Sequence, residues 1–457
     1  MRIEKDSLGE LAVPENALYG IHTARSVANF DSAGEPLPIE LIYAMVTLKQ
    51  ACAAANAELG LLPHDKAIAI AGACGDVLSG NYDDQFPIDI FQAGSGTSSN
   101  MNVNEVLANL ASEELGGMRG DRLVHPNDDV NKGQSTNNIF PSAIRVAAIN
   151  LSGELFQKIE ELLQGFEKKA GEFCNIQKSG RTHLQDAVPI TLGQEFSAWA
   201  QALCKAEKRI AVACMNLLEL GVGGNAVGTG VNTPADFREK IITSLNQATG
   251  QDYRVATNGI EITQFLSDMG AFSSSLKMLA LDLNKIVNDL RLLSSGPNTG
   301  LGEINLPAVE PGSSIMPGKI NPSICEAANM ACMQVIGNDA TVSAAIAAGQ
   351  LELNTHMPVT GSNIIKSLKI LTKTCAALNE KCVSGITANE NVCRNYFERS
   401  AGLPTILNPV LGYDKVAVLV KESLATGKTL AELVCEKELL PADEFKALLA
   451  TSTGPLS

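Results

Sequence analysis

Four polar, glycine-rich segments interrupt an otherwise regular sequence, and their residue types suit the binding of a small carboxylate. The first is Gly94-Ser95-Gly96-Thr97-Ser98-Ser99-Asn100. The second runs from His125-Pro126-Asn127-Asp128-Asp129 to Gln134-Ser135-Thr136-Asn137. The third is Ser179-Gly180-Arg181-Thr182-His183-Leu184-Gln185-Asp186, and the fourth is GSSIMPGKINP, Gly312 to Pro322. Hydroxyls and amides, with Lys319 and His183, can hold a carboxylate and move a proton. Two of the segments immediately precede strongly helical stretches, where unpaired backbone N–H groups and the helix dipole favour an anion. Ser135, Thr136 and Asn321 also suit helix N-caps. One such segment would be unremarkable; four together point to a site.

Other chemistries fit less well. Gly221-Val222-Gly223-Gly224-Asn225-Ala226 matches the dinucleotide string GxGxxA, but it follows a helical stripe and the chain has no βαβ pattern. Gly312 to Lys319 misses a P-loop, because five residues separate its glycines and Ile320 stands where Ser or Thr is required. There is no GxSxG and no CxxC, and His22, His64 and His356 lack partners at metal-ligand spacing, so no catalytic metal is expected. The 11 scattered cysteines suit a reducing compartment.

The elements that position these segments are long helices. Apolar residues recur at steps of three and four through Leu151, Leu155, Ile159, Leu162 and Phe166, and again from Leu192 to Leu220. The same spacing runs from Phe265 to Leu290 and from Ile364 to Cys382, and a fifth helix is expected from Pro322 to about Gly349. Five such stripes make a bundle with shallow crossings, and Ala and Cys on more than one face favour assembly with other copies. Residues 1–134 read as short helices and turn-rich segments, a small N-terminal domain. Residues 135–391 read as the central helical bundle, and residues 392–457 as a small helical C-terminal domain with a capping box, Thr429 and Glu432.

A hydrophobic fraction of 45% excludes a disordered chain, and a net charge of −15 argues against nucleic acid or an anionic membrane as partner. The start MRIEKDSLGE has no apolar core of a secretory signal, and no stretch reaches the ~18 apolar residues of a membrane span, so a cytoplasmic location is expected.

GSSIMPGKINP resembles the signature loop of the fumarase/aspartase superfamily, whose members eliminate a group β to a carboxylate and release fumarate. GTSSNMNVNEVLAN, HPNDDVNKGQSTN, GRTHLQDAVPITLGQEF, AVGTGVNTP, LRLLSSGP, INLP, GQLELN and GITAN are also similar to that family, so the resemblance spans nearly the whole chain. It implies an all-α, mainly helical fold of three domains, whose five-helix units build a twenty-helix core in a homotetramer with active sites shared between subunits. It implies Ser313 as the base. Thr97, Ser135, Thr136 and Ser314 match ligands of the β-carboxylate, and Thr182, Lys319 and Asn321 match ligands of the α-carboxylate. Asn137 and catalytic His183 match residues beside the leaving group, and Glu326 matches the carboxylate that can orient that histidine in fumarases. His125, Asn127 and Asp128 match a second anion site. The partner implied is a small dicarboxylate, with no cofactor required and activation by a divalent cation left open.

YGIHTARSVANF, Thr97-Ser98, LRLLSSGP, INLP and GITAN look like the aspartase branch. HPNDDVN, Ile324-Cys325-Glu326-Ala327 and LNPVLGYDK look like class II fumarases. The aspartase-like segments dominate near the substrate, so the expected reaction is L-aspartate to fumarate and ammonia. The alternatives are hydration of fumarate to malate, elimination from another amino- or nitro-succinate, or a scaffold without turnover. Three departures stand out: Asn138 where the family usually has Asp, Asn298 where it usually has Arg, and Thr355-His356-Met357 in place of an apolar-plus-charged run.

Overall fold

The computed structural model describes residues 1–454, and the chain is mainly helical. An antiparallel hairpin, β1 (Arg2–Asp6) and β2 (Gly9–Val13), opens the chain. The helices α1 (Ile21–Asn29), α2 (Ile39–Glu58), α3 (His64–Leu78) and α4 (Thr97–Glu114) follow. The N-terminal segment thus contains helices of 20, 15 and 18 residues where the sequence suggested only short ones. Burial on several sides hides their period. Leu41, Ile42, Ala44, Met45, Val46 and Leu48 of α2 are all buried. In the middle of the helix only the narrow stripe Tyr43, Thr47, Gln50 and Ala54 reaches the surface, too little polar surface to set off an apolar stripe.

The five expected long helices are all present. They are α5 (Thr136–Glu172), α6 (Leu192–Asn216), α9 (Ser267–Leu293), α10 (Ser323–Ala347) and α11 (Met357–Lys381), with α7 (Phe237–Thr249) and α8 (Gly259–Gln264) between the second and third. A second antiparallel hairpin, β3 (Gln177–Thr182) and β4 (Gln185–Thr191), separates α5 from α6. The helix α5 begins well before Leu151, where the stripe starts in the sequence, because Ile139, Phe140, Ala143, Ile144 and Val146 are buried around its first turns. Pro322 stands one residue before α10 rather than inside it.

The contacts divide the chain into two compact units. The first comprises Met1–Leu155, Lys208–Ala280 and Met333–Leu371; the second comprises Phe156–Glu207, Leu281–Cys332 and the chain from Thr372 on. In the first unit the helices interlock through polar pairs as well as apolar surface. Arg145 of α5, 1% exposed, donates to both oxygens of Asp268 in α9 at 2.7 and 3.0 Å. Asp339 of α10 accepts from Lys277 and Ser273 of α9 at 2.5 and 2.8 Å, and Asn338 donates to Ser367 of α11 at 3.0 Å. In the second unit Phe166 of α5 and Phe173 just after its end pack on Phe196 and Trp199 of α6, with ring centroids 5.1–6.0 Å apart. The helices between Glu390 and Ala450 bury Phe397, Leu403, Leu407, Val416 and Leu433 in a core of their own. Thr429 and Glu432 form the expected capping box there. All eleven cysteines are free, and among the described residues no helix is long and apolar enough to cross a membrane.

One buried cation stands out in the first unit. Lys49 of α2 has no exposed surface, donates to Asn131 Oδ1 at 2.7 Å and lies beside the buried thiols of Cys52 and Cys74. Desolvation pushes its pKa down from 10.5 to about 7. The unfolded chain therefore keeps a proton on Lys49 that the folded chain releases, and folding gains stability as pH rises from about 7 toward 10.5. Burial pushes both thiols up to about 12, so they oppose this trend only above their ordinary value of 9.0. Between pH ~7 and ~9 the melting temperature should rise more steeply in the wild type than in Lys49→Met, measured by calorimetry. Equal slopes would show that Lys49 stays protonated in the folded chain.

Candidate active site

In the first unit, two helix N-termini are brought together. The turn Gly94–Gly96 leads into α4 and is pinned by a hydrogen bond from Ser95 N to Thr355 O at 2.9 Å, so the unusual Thr355 segment supports this turn. Gly96 has φ +87°, and a Cβ there would lie 2.2 Å from the ring of Phe140 in α5. That contact brings the start of α4, with Thr97, close to the start of α5. Ser135 caps α5, its Oγ accepting from Asn137 N at 3.2 Å, which is the structural role the sequence already allowed. Thr136 is 8% exposed, and its Oγ1 accepts from Asn100 Nδ2 at 3.0 Å. Asn137 donates from Nδ2 to Ala226 O at 2.7 Å, which leaves its carbonyl oxygen available. Behind it, buried Asn138 donates to Thr263 Oγ1 at 3.0 Å.

Thr97 and Ser98 line a cavity of about 530 Å³ that also receives His22, Arg25, Arg122 and His125. Asn127 lines it as well, whereas Asp128 lies outside, its side chain 82% exposed. The Nδ1 of His125 accepts from the backbone N–H groups of Asn127 and Asp128 at 3.3 and 3.1 Å. The same Nδ1 lies 3.3 Å from Asp128 Oδ2. His22 and Arg25 come from YGIHTARS. They were not singled out as site residues from the sequence, although a His and an Arg in the first turns of a short helix were a usable signal.

The second unit holds the remaining candidates. Thr182 and Gln185 pair across the tip of the β3–β4 hairpin, and the two tip residues His183 and Leu184 have φ +56° and +59°. This positive-φ, two-residue turn ordinarily takes Asn and Gly. Thr182 and His183 are exposed. Their support is buried charge: Glu303, with no exposed surface, forms ion pairs with Lys178 at 2.9 Å and with Arg181 at 2.8 Å. Lys178 also pairs with Glu195 at 2.8 Å. Burial pushes the Glu195 carboxyl up, and Lys178 opposes that shift. Lys178, Glu195 and Glu303 escaped the sequence reading because their partners are far apart in the chain.

The Ser313 loop folds on itself. Asn321 Nδ2 donates to Gly312 O at 2.6 Å, and a Cβ at Gly312 would lie 2.2 Å from Lys319 O. The backbone N–H groups of Ile315 and Met316 both donate to Ser313 Oγ, at 3.2 and 3.0 Å. Two such donors stabilise negative charge on that oxygen. Ser314 and Lys319 are exposed, and Glu326 sits in the first turn of α10. Among the described residues, no hydrogen bond or ion pair joins His183 to Glu326 or the hairpin tip to the Ser313 loop. Asn298 is exposed. Among the described residues no group of three or more His, Cys, Asp or Glu could hold a metal ion.

Known proteins resemble the chain along its length. A family model described as "Lyase" matches residues 9–337, and one described as "Fumarase C C-terminus" matches residues 403–453. An aspartate ammonia-lyase of Corynebacterium glutamicum is 47% identical, covering 98% of this chain and 86% of that protein. A class II fumarate hydratase of Thermosynechococcus vestitus is 46% identical, covering 97% of this chain and 96% of that protein. Among solved structures, a fumarate lyase:delta crystallin from Brucella melitensis bound to cobalt superposes with a TM-score of 0.97 at 45% identity, covering 99% of this chain and all of that one. A class II fumarase from Schistosoma mansoni gives 0.95 at 38% identity, covering 99% of each.

The contact between Gly96 and Phe140 gives a direct check on how the two helix starts are held. Gly96→Ala should destabilise the protein by ~2–4 kcal/mol, from overpacking and the positive φ together, measured by denaturant unfolding. Adding Phe140→Leu should recover the packing part only, ~1–2 kcal/mol. An unchanged stability in Gly96→Ala would mean that the two helices are not held this close.

Proposed function

The chain belongs to the lyase family that contains the fumarases and aspartases, and from that premise we propose that it is an aspartate ammonia-lyase. The observation that carries a base-catalysed elimination is the pair of backbone N–H groups donating to Ser313 Oγ. A serine hydroxyl is far too weak an acid to ionise alone at neutral pH, and two fixed donors lower the cost of its alkoxide.

In this reading Ser313 removes a Cβ proton from L-aspartate. The electron pair moves into the β-carboxylate as an aci-carboxylate, which Thr97, Ser135, Thr136 and Ser314 meet with hydrogen bonds. Thr182, Lys319 and Asn321 hold the α-carboxylate. The electron pair then returns from the aci-carboxylate to form the Cα–Cβ double bond of fumarate as the C–N bond breaks. Nitrogen leaves with the C–N bonding pair as ammonia, and ammonia takes up the proton that Ser313 removed. Asn137 and His183 face the amino group, and neither has to deliver a proton to an ammonium leaving group. No cofactor is needed, and a divalent cation would act only as an activator.

Assembly is part of the proposal. Exposed apolar side chains occur on the long helices of both units, among them Val212 and Met215 at 65% and 62%, and Met330 and Met333 at 65% and 62%. Ile315 and Met316 flank Ser313 at 86% and 53% exposure, and Leu184 at the hairpin tip is 71% exposed. Apolar surface of this extent calls for a partner. A homotetramer with a twenty-helix core would bury it and let different copies supply the hydroxyl wall, the hairpin tip and the Ser313 loop. Residues 1–134, 135–391 and 392–457 are then its three domains. Eleven free cysteines fit a cytoplasmic location.

Ser98 favours aspartate over malate. It is 1% exposed and lines the same cavity as Thr97, where fumarase-like sequences place a longer Gln. The class II fumarase reading draws on Glu326, which could make His183 an acid for a hydroxide leaving group. The purified protein is incubated separately with L-aspartate and L-malate, and fumarate is followed by its ultraviolet absorbance. Aspartate should win in kcat/KM by at least ~10³, because a site that bonds one polar group rejects an analogue that leaves it unpaired. Faster turnover of malate would establish the fumarase reading instead, and turnover of neither would point to another substituted succinate, with Asn138 and Asn298 as its marks, or to the scaffold alternative.

A further inference from the structure

We propose that Asn100 is a positioning residue for the reaction: its side-chain amide fixes the Thr136 hydroxyl as a hydrogen-bond donor toward the substrate's carboxylate. The inference rests on the reading of Thr136 as a β-carboxylate ligand and adds a residue that does not itself touch substrate.

The argument follows the direction of each hydrogen bond. Asn131 Nδ2 donates to Gln134 O at 3.2 Å, and Lys49 Nζ donates to Asn131 Oδ1 at 2.7 Å. Because the Gln134 carbonyl can only accept, it sets the orientation of the Asn131 amide, with its oxygen facing Lys49. Asn100 Nδ2 donates to that same oxygen at 3.3 Å and to Thr136 Oγ1 at 3.0 Å. A flipped Asn100 would bring two carbonyl oxygens together, so its NH2 group must face Asn131 and Thr136. Both of its N–H bonds are then used. Thr136 Oγ1 accepts one of them and has a single hydrogen of its own to donate.

Asn100 is 1% exposed, and its Oδ1 has no hydrogen-bond partner. A buried carbonyl without a partner is unfavourable. The unpaired oxygen follows from the orientation that turns both N–H groups toward Asn131 and Thr136. A hydroxyl whose direction is already set donates to growing charge without reorganisation.

The test is a double-mutant cycle on the full-length protein. Asn100→Asp replaces the donor by an acceptor that draws the Thr136 proton inward. It should lower kcat/KM about 10²-fold for whichever of L-aspartate and L-malate the wild type turns over, mainly through kcat. In a Thr136→Val background the same change should cost less than about threefold, because the group through which Asn100 acts is gone. Asn100→Leu, which keeps the volume, provides a second cycle, and circular dichroism establishes that each variant is folded. Calorimetry with succinate repeats both cycles without turnover, and the weakening of binding should likewise vanish in the Thr136→Val background. Equal losses in both backgrounds would overturn the role of Asn100 alone. Failure of the wild type to bind succinate would overturn it together with the dicarboxylate reading of the site.

Discussion

A donor can stabilise charge that grows during a reaction only if its direction is settled before the charge appears, and this requirement decides where the polar groups of this protein are buried. In the first unit Lys49 sets Asn131, and Asn100 spans Asn131 and Thr136. In the second unit Glu303 holds Lys178 and Arg181 at the base of the hairpin that ends in Thr182 and His183. The Ser313 loop reaches the same end without buried charge, by closing Asn321 on Gly312 and turning two N–H groups onto Ser313. Candidate ligands such as Thr182, Ser314 and Lys319 are exposed, while Glu303, Lys178 and Asn100 are almost fully buried.

This division carries an energetic cost that the fold must offset. Burying a charge such as Lys178 or Glu303 is unfavourable unless it is paired, and breaking one partner leaves the other stranded. The long helices offset the cost with apolar burial along their whole length, from Leu155 to Phe166 in α5 and from Leu276 to Leu290 in α9. The same helices also carry exposed methionines and valines. Their outer faces are therefore unusual for a solvent-facing surface and fit the proposed association of copies.

The sequence revealed the long helices and the chemistry-bearing loops for different reasons. The stripes were legible because each central helix keeps one polar side, so the three-and-four spacing survives. The same rule hid α2, whose residues are buried around most of its circumference, and the first turns of α5. The turn at His183-Leu184 was not legible because it lacks the Asn or Gly that such a turn ordinarily takes. The loop residues were visible through composition, since hydroxyls and amides beside glycine are rare inside helical sequence. Their supports were not, because the partners of Lys49, Lys178 and Glu303 lie tens of residues or more away. A lone charge in an apolar run, such as Lys49 after Met45 and Leu48, is the signal that such a partner exists.

The central claim is that donors supplied by different copies act on one bound dicarboxylate. Subunit complementation tests it most directly. A Thr182→Ala/His183→Ala protein and a Lys319→Ala protein, each inactive alone, are mixed under conditions that exchange subunits, with exchange followed by mass spectrometry. Sites assembled from intact segments of different copies should restore about a quarter of the wild-type activity, the fraction expected from random mixing in a symmetric oligomer. Complete exchange with no recovered activity would contradict the claim and place all of these donors on a single chain.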